Sequence, residues 1–405
     1  MIGVSRGPRL VTRHPHLMAN YARAEINIVR GEGSWLIDES GNRYLDMVAG
    51  IAVCALGHAH PRIARAIADQ AATLVHVSNL VHHEPAGTLA DRLAALSGFD
   101  AVFFCNSGAE ANEAAIKLAR KHAFRSGNPE RNVILAARGS FHGRTFGALA
   151  ATDNPAYHEG FGPMPEGFRH VPFNDVAALE HAIDEHTACF LVEPVQGESG
   201  VLPAERGYLE AARRLCDERG ALLIFDEVQT GMGRLGTLFA WQHYGVTPDA
   251  FTLAKSLANG LPIGALLVRG AAAAGLRPGD HGTTFGGSCV PAAAALEHLA
   301  IRDVVDMDAH VREIGALLRG ELAAIAVAFP DVFDTPRGIG LMLGLPVKAP
   351  RKAADFVPFG LDHGLFINAA GRNTLRFVPP LVLSADEVRI ASQRLRAAIA
   401  AALAL

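Results

Sequence analysis

The chain has 405 residues, more than one ordinary hydrophobic core accommodates, so two closely packed domains are expected. Half of the residues are apolar and 19% are charged, which excludes a disordered protein. The formal net charge is −4 and basic residues are scattered, so neither nucleic acid nor an anionic membrane is expected as a partner.

Arginines, histidines and prolines interrupt Met1 to Met18, leaving no signal-peptide core, and no run of about 18 uncharged apolar residues follows. A soluble, cytoplasmic protein is expected. The five cysteines are odd in number and far apart, with no C-x-x-C pair, so buried thiols are expected rather than disulfides or zinc.

In chain order, Gly33–Asp38 reads as a β-like unit, Ser40-Gly-Asn42 as a turn and Tyr44–Asp46 as its return. A helix is predicted after Pro61, with proline in its first turn. Short apolar runs then alternate with helical patterns: 101–104, 132–135, 189–192, 221–225, 250–253 and 265–268. Continuous apolar runs fit strands covered on both faces, so an α/β fold with a mostly parallel sheet is expected. Helices are expected over 111–125 and 208–218. After Pro291 the pattern turns helix-rich, then mixed, and closes with a helical tail from Ser384. The predicted division is 1–60 packing with the small domain, 61–295 as the large domain and 296–405 as the small one.

Several runs end in a polar group: Asn106-Ser107, Glu193, Asp226 and Lys255. Ligands of open α/β sheets bind outside the carboxyl ends of the strands, where these groups would converge. Ser107-Gly108-Ala109 opens a helix whose first-turn N–H groups can form a phosphate seat, while taken alone Ser107-x-x-Glu110 reads more readily as a capping box. Asp226 ends a buried strand, where an isolated charge needs a partner such as a pyridinium nitrogen. Strand alternation turns Glu227 the other way. Lys255 follows an apolar strand and precedes a glycine-proline loop, a place where an amine loses its proton readily and becomes nucleophilic.

Other patterns are decoys. Gly231-Met-Gly-Arg-Leu-Gly236 satisfies G-x-G-x-x-G, but it does not follow its strand directly and no crossover unit with a later acid follows. His58, His60, His76, His82 and His83 are dense but form no H-E-x-x-H pattern, so turn, capping or core roles are expected.

Taken together, seven blocks resemble the class III (ornithine-type) aminotransferases, over Tyr21 to about Leu383. They are Asn106–Glu113, Ser140–Thr145, Glu193–Glu198, Phe225–Arg234, Thr252–Lys255, His281–Gly287 (which includes Thr283) and Leu375–Leu381. The resemblance implies a type I pyridoxal-phosphate fold, with a small α+β domain from both chain ends, and a homodimer with shared active sites. It implies that Lys255 carries pyridoxal 5'-phosphate covalently and that Asp226 meets its ring nitrogen. Phe141 would stack on the ring, Gln229 would lie near its phenolic oxygen, and Ser107, Gly108 and Ala109 would hold the phosphate with Thr284 of the neighbouring subunit. Arg144 and Arg376 are similar to the family's two substrate-carboxylate arginines, with Glu198 as switchable partner of Arg376 and Tyr21 on the substrate side. The implied reaction moves the δ-amino group of N2-acetylornithine to 2-oxoglutarate in arginine metabolism. Ile51 stands where free-ornithine enzymes carry a tyrosine, which suits an acylated, uncharged amine. Ser288 and Cys54-Ala55 depart from the family pattern. Succinylornithine, ornithine or an N-succinyldiaminopimelate-type donor remain alternatives, and a catalytically silent cofactor-binding protein is a distant one.

Overall fold

The computed structural model describes residues 16–404. Residues 1–15, part of the segment expected to lack a signal-peptide core, lie outside the described residues. A seven-stranded sheet forms the centre, in the spatial order Ala101–Cys105, Gly264–Val268, Ala250–Leu253, Leu222–Asp226, Thr187–Val192, Val133–Ala137 and Phe168–Val171. The last five strands pair in parallel, whereas Gly264–Val268 runs antiparallel to both neighbours.

Alternate residues of these strands enter two different cores. Ile134, Leu191, Ile224 and Leu266 face the helix Gly108–Arg125 through its Ala114, Ala115, Leu118 and Ala119. Leu135, Phe190, Phe225, Phe251 and Leu267 face the larger core on the opposite side. Both faces are dry, which is why the runs are uniformly apolar instead of alternating. Phe168–Val171 reads Phe-Arg-His-Val and has no apolar run because it is an edge strand.

Helices begin where local signals place them. Pro61 opens Pro61–Thr73, and Ser384 caps Ala385–Leu403 by accepting from Glu387 N–H while Glu387 reaches back to Ser384 N–H. The two chain ends share a second sheet, in which Leu365–Phe366 pairs in parallel with Arg43–Asp46. A third, antiparallel sheet contains Thr374–Phe377, the strand carrying Arg376. Among the described residues, no helix is long and apolar enough to cross a membrane.

One turn is strained. Ala49, Gly50, Ile51 and Ala52 all have positive φ, between 50° and 67°. The left-handed region costs roughly 1–2 kcal/mol for each non-glycine residue, so the turn needs external support. Asp46 Oδ1 accepts from Val48 and Ala49 N–H at 2.8 Å, and Ser256 Oγ donates to Ala52 O at 2.8 Å. Asp46 also pairs with His58 Nε2 at 2.7 Å, and this contact raises the imidazole pKa to about 9. A raised histidine pKa stabilises the fold fully below its ordinary value near 6.5, and that stabilisation is lost as pH rises through 9. His58→Gln is therefore expected to cost about 2 kcal/mol at pH 6 and almost nothing at pH 10. Denaturant titration at both pH values checks this; equal losses would contradict it.

Candidate active site

The carboxyl ends of the strands open on a cavity of about 390 Å³. Asn106, Ser107, Gly108, Ala109, Phe141, Arg144, Glu193, Asp226, Gln229 and Lys255 all line it. Sequence-separated residues meet here because each stands at or just beyond a strand terminus.

Asp226 ends Leu222–Asp226 and is 4% exposed. Its Oδ2 accepts from Asn112 Nδ2 at 2.7 Å and pairs with His142 Nδ1 at 2.8 Å, while Oδ1 accepts from Val228 N–H at 3.0 Å. Thr252 Oγ1 lies 3.4 Å from Oδ1 but only 2.9 Å from Asn112 Oδ1, so its single proton goes to the asparagine. A carboxylate has about four lone-pair positions. Three are taken, and one remains on the cavity side for one N–H donor.

Lys255 follows Ala250–Leu253 with φ of +43°. Its ammonium makes no ion pair or hydrogen bond among the described residues. Burial lowers its pKa, opposed by Glu198 and reinforced by Arg376, so the amine sheds its proton more readily than a solvated lysine.

At the opposite end Ser107 Oγ accepts from Glu110 N–H, and Glu110 accepts from Asn106 N–H at 2.9 Å. The cap is formed, and it does not exclude the phosphate-seat reading. The cap uses Glu110 N–H and leaves the amides of Gly108 and Ala109, which have no intrahelical acceptor, beside the cavity. A Cβ at Gly108 would stand 2.6 Å from the Val228 side chain, so only glycine lets the helix start this close. A single N–H donor at Asp226, an anion at Gly108-Ala109 and a carbonyl carbon at Lys255 describe a planar phosphorylated aldehyde, and the donor set fits it.

Glu198 and Arg376 form an ion pair next to the cavity-lining Gln229; Arg376 is 1% exposed and the Glu198 side chain 30%. Burial pushes the Glu198 carboxyl up, but Arg376 and Lys255 hold it below its ordinary range. Gln229 Nε2 donates to Glu198 at 3.4 Å, and Gln229 Oε1 is buried with no partner. The Arg144 guanidinium lies 3.5 Å from the Tyr157 ring centroid and 5.6 Å from that of Phe141.

Two predicted residues stay apart from this group. Thr284 sits on an exposed loop in a cleft with Ser78, Asn79 and Leu80 and does not line the cavity of its own chain, although the preceding Thr283 Oγ1 accepts from the cavity-lining Asn106 Nδ2 at 3.1 Å. Tyr21 is 66% exposed, stacks with Arg23 and does not line the cavity; residues 16–27 carry no strand or helix that would fix it there.

Asn112, His142 and Tyr157 are functional candidates to which sequence reasoning assigned no role, while Glu193 was expected at the strand ends without a specific one. Asn112 carried a signal, being polar on a helix face otherwise made of Ala111, Ala114 and Ala115. His142 and Tyr157 carried none. Glu227 does point away: it accepts from Ala240 and Trp241 N–H at 2.6 and 2.8 Å, at the start of the helix Ala240–Tyr244. The G-x-G-x-x-G loop is packing. Its Arg234 is wholly buried and donates to Leu341 O and Pro379 O.

Comparison with known proteins agrees with this geometry. The profile of the aminotransferase class-III family matches residues 17–399. Acetylornithine aminotransferase 1 of Bradyrhizobium diazoefficiens is 48% identical over 387 residues, which is 96% of this chain and 95% of that protein. The solved ornithine aminotransferase of Toxoplasma gondii, with PLP in partial occupancy at its active site, superposes with a TM-score of 0.92 at 34% identity. That match covers 96% of this chain and 93% of the other. N-acetylornithine aminotransferase of Stenotrophomonas maltophilia superposes with a TM-score of 0.84 at 40% identity, covering 94% and 97%.

Proposed function

The chain belongs to the class III aminotransferases, which are pyridoxal-phosphate-dependent, and from that premise we propose that it transfers the δ-amino group of N2-acetylornithine to 2-oxoglutarate. The products are N-acetylglutamate 5-semialdehyde and glutamate. The observation that carries the reading is the Glu198–Arg376 ion pair facing an unpaired Lys255 amine, with Arg144 as a second guanidinium at the cavity.

The bound cofactor supplies an electrophilic carbon for the amine and an electron-withdrawing ring. Lys255 would hold it covalently, Asp226 would accept from its ring nitrogen, and Ser107, Gly108 and Ala109 would hold its phosphate. Phe141 would cover the ring face, and Gln229 would stand near its phenolic oxygen. Lys255 then moves the proton at the amino-bearing substrate carbon, a role its lowered pKa favours.

Two different amines must reach one lysine. With the donor, Glu198 neutralises Arg376, and Arg144 takes the distant α-carboxylate through a forked contact. With glutamate, Glu198 swings away, Arg376 takes the α-carboxylate and Arg144 the γ-carboxylate. Ile51, on the strained turn whose neighbour Val53 lines the cavity, offers an apolar side chain to an acylated amine. Glu198→Ala is expected to raise kcat/KM for α-amino donors about tenfold and to lower it for acetylornithine by a similar factor, the scale of one charged contact. Half-reactions followed by absorbance test this, and parallel losses for both donors would refute the switch. A panel of acetylornithine, succinylornithine, ornithine and GABA, with 2-oxoglutarate as acceptor, tests the substrate.

The proposal includes a cytoplasmic homodimer with shared sites and the division 1–60, 61–295 and 296–405. Thr284 and its neighbours Phe285, Leu80 and Val81 are 57–91% exposed or solvent-facing in the single chain, an apolar surface suited to a second copy. Thr284 would reach the phosphate of the partner's site, and Tyr21 the substrate.

A further inference from the structure

Glu193 is a buried acid that the proposed transfer does not use. It follows the strand Thr187–Val192 and is 5% exposed. One carboxyl oxygen accepts from Phe141 N–H at 2.9 Å and the other from Gly197 N–H at 3.3 Å. Each contact leads to an arginine. Phe141 lies three residues before Arg144 in the same loop, and its ring lies under the Arg144 guanidinium. Gly197 O accepts from Arg376 Nη1 at 3.3 Å, and a Cβ on Gly197 would stand 2.2 Å from Gln229 Oε1, so only glycine lets this backbone lie so close to Gln229. A continuous path thus runs from the Arg144 loop through Phe141 N–H, the Glu193 carboxyl and Gly197 to Arg376.

We infer that Glu193 is a positioning residue that fixes the separation of Arg144 and Arg376, and through it the chain length of the dicarboxylate the site accepts. The inference rests on the proposed use of both arginines by 2-oxoglutarate and glutamate. A dicarboxylate held at both ends is selected by the gap between its two anchors, because a misplaced guanidinium loses its forked contact.

The protonation state fits a tie rather than a charge. Burial and the neighbouring Asp226 push the Glu193 carboxyl well above its ordinary range, against the two amide donors. The same two loops are also joined by Gln196 Nε2 to Arg138 O at 2.9 Å and by Ser199 Oγ to Gly139 O. Those contacts persist when Glu193 is replaced, so the loops stay assembled and only their inner spacing is released.

The test uses unreactive dicarboxylates of increasing length, succinate, glutarate and adipate, bound to cofactor-loaded enzyme and measured by calorimetry. Wild-type protein is expected to bind glutarate at least about tenfold tighter than either neighbour, roughly the weight of one good charged contact. Glu193→Ala is expected to bring that ratio below about threefold, while Glu193→Gln, whose amide oxygen still accepts from Phe141 N–H but whose NH2 cannot accept from Gly197 N–H, is expected to fall between Ala and wild type. If Glu193→Ala does not fold, Glu193→Asp, one methylene too short to span both amides, carries the same expectation. A folded, cofactor-loaded Ala or Asp variant with an unchanged preference overturns the inference. So does a Gln variant as discriminating as wild type, because the Gly197 end of the tie would then be idle. Wild-type enzyme that binds no dicarboxylate and transfers no amino group to 2-oxoglutarate would instead remove the underlying functional reading.

Discussion

Lys255→Ala is expected to reduce transaminase turnover by about 10⁵-fold or more, the scale on which a covalent catalytic group is missed. The reason is local. Among the described residues Lys255 is the only lysine lining the cavity, its amine has no competing ion pair, and burial lowers its pKa. Alanine leaves the cavity without a nucleophile and without a group to move the proton at the substrate carbon. Its fold should survive, because the brace of this loop lies elsewhere: Ser256 Oγ donates to Ala52 O, and Asn259 Oδ1 accepts from Leu56 N–H at 2.7 Å. The check is single-turnover absorbance, joined to borohydride reduction and peptide mapping, which should label Lys255 in the wild type and nothing in the variant. Turnover above one hundredth of wild type would mean that another amine does the work.

Asp226→Asn is expected to lower kcat by about 10³-fold while changing KM far less, as for removal of one buried electrostatic partner of the reacting system. Asparagine matches the shape of aspartate but not its charge. Its NH2 must also face a donor, either Val228 N–H on one side or Asn112 Nδ2 and the His142 ring on the other. A further loss of about 1–3 kcal/mol in stability is therefore expected, from buried donors left without an acceptor. Asp226→Glu keeps the charge on a longer arm and should retain more activity than the asparagine variant. Equal activity of Asp226→Asn and wild type would remove Asp226 from the chemistry.

These two residues were legible before any coordinates because strand position is legible. A run such as Leu222–Phe225 has one place to go, a strand dry on both faces, and the first polar residue after it must emerge at the sheet edge. Ser107, Glu193, Asp226 and Lys255 were all reached by that single rule, and all line one cavity. Phe168–Val171 escaped it, since an edge strand need not be apolar, and so did the antiparallel direction of Gly264–Val268, since direction leaves no mark on side-chain pattern.

The partners were not legible. His142 and Asn112 reach Asp226 across 84 and 114 positions of sequence, and Glu193 touches Phe141 across 52. Such contacts depend on how far each loop projects beyond its strand, which the packing of neighbouring elements decides. Thr284 and Tyr21 show the same limit from the other side: the family resemblance marked them, but neither lines the cavity of its own chain, and that is a matter of where loops lie.

The sequence by itself determined the doubly covered sheet, the helix starts at Pro61 and Ser384, and the chemical identity of the groups at the strand ends. Each of these follows from local propensity and from which side chains tolerate burial. Only the tertiary structure decided that Asp226 keeps one open acceptor position, that Glu198 closes on Arg376, and that Glu193 joins two loops. Hydrogen bonds between distant segments have no periodicity to read; they exist only once a three-dimensional packing brings donor and acceptor within about 3 Å.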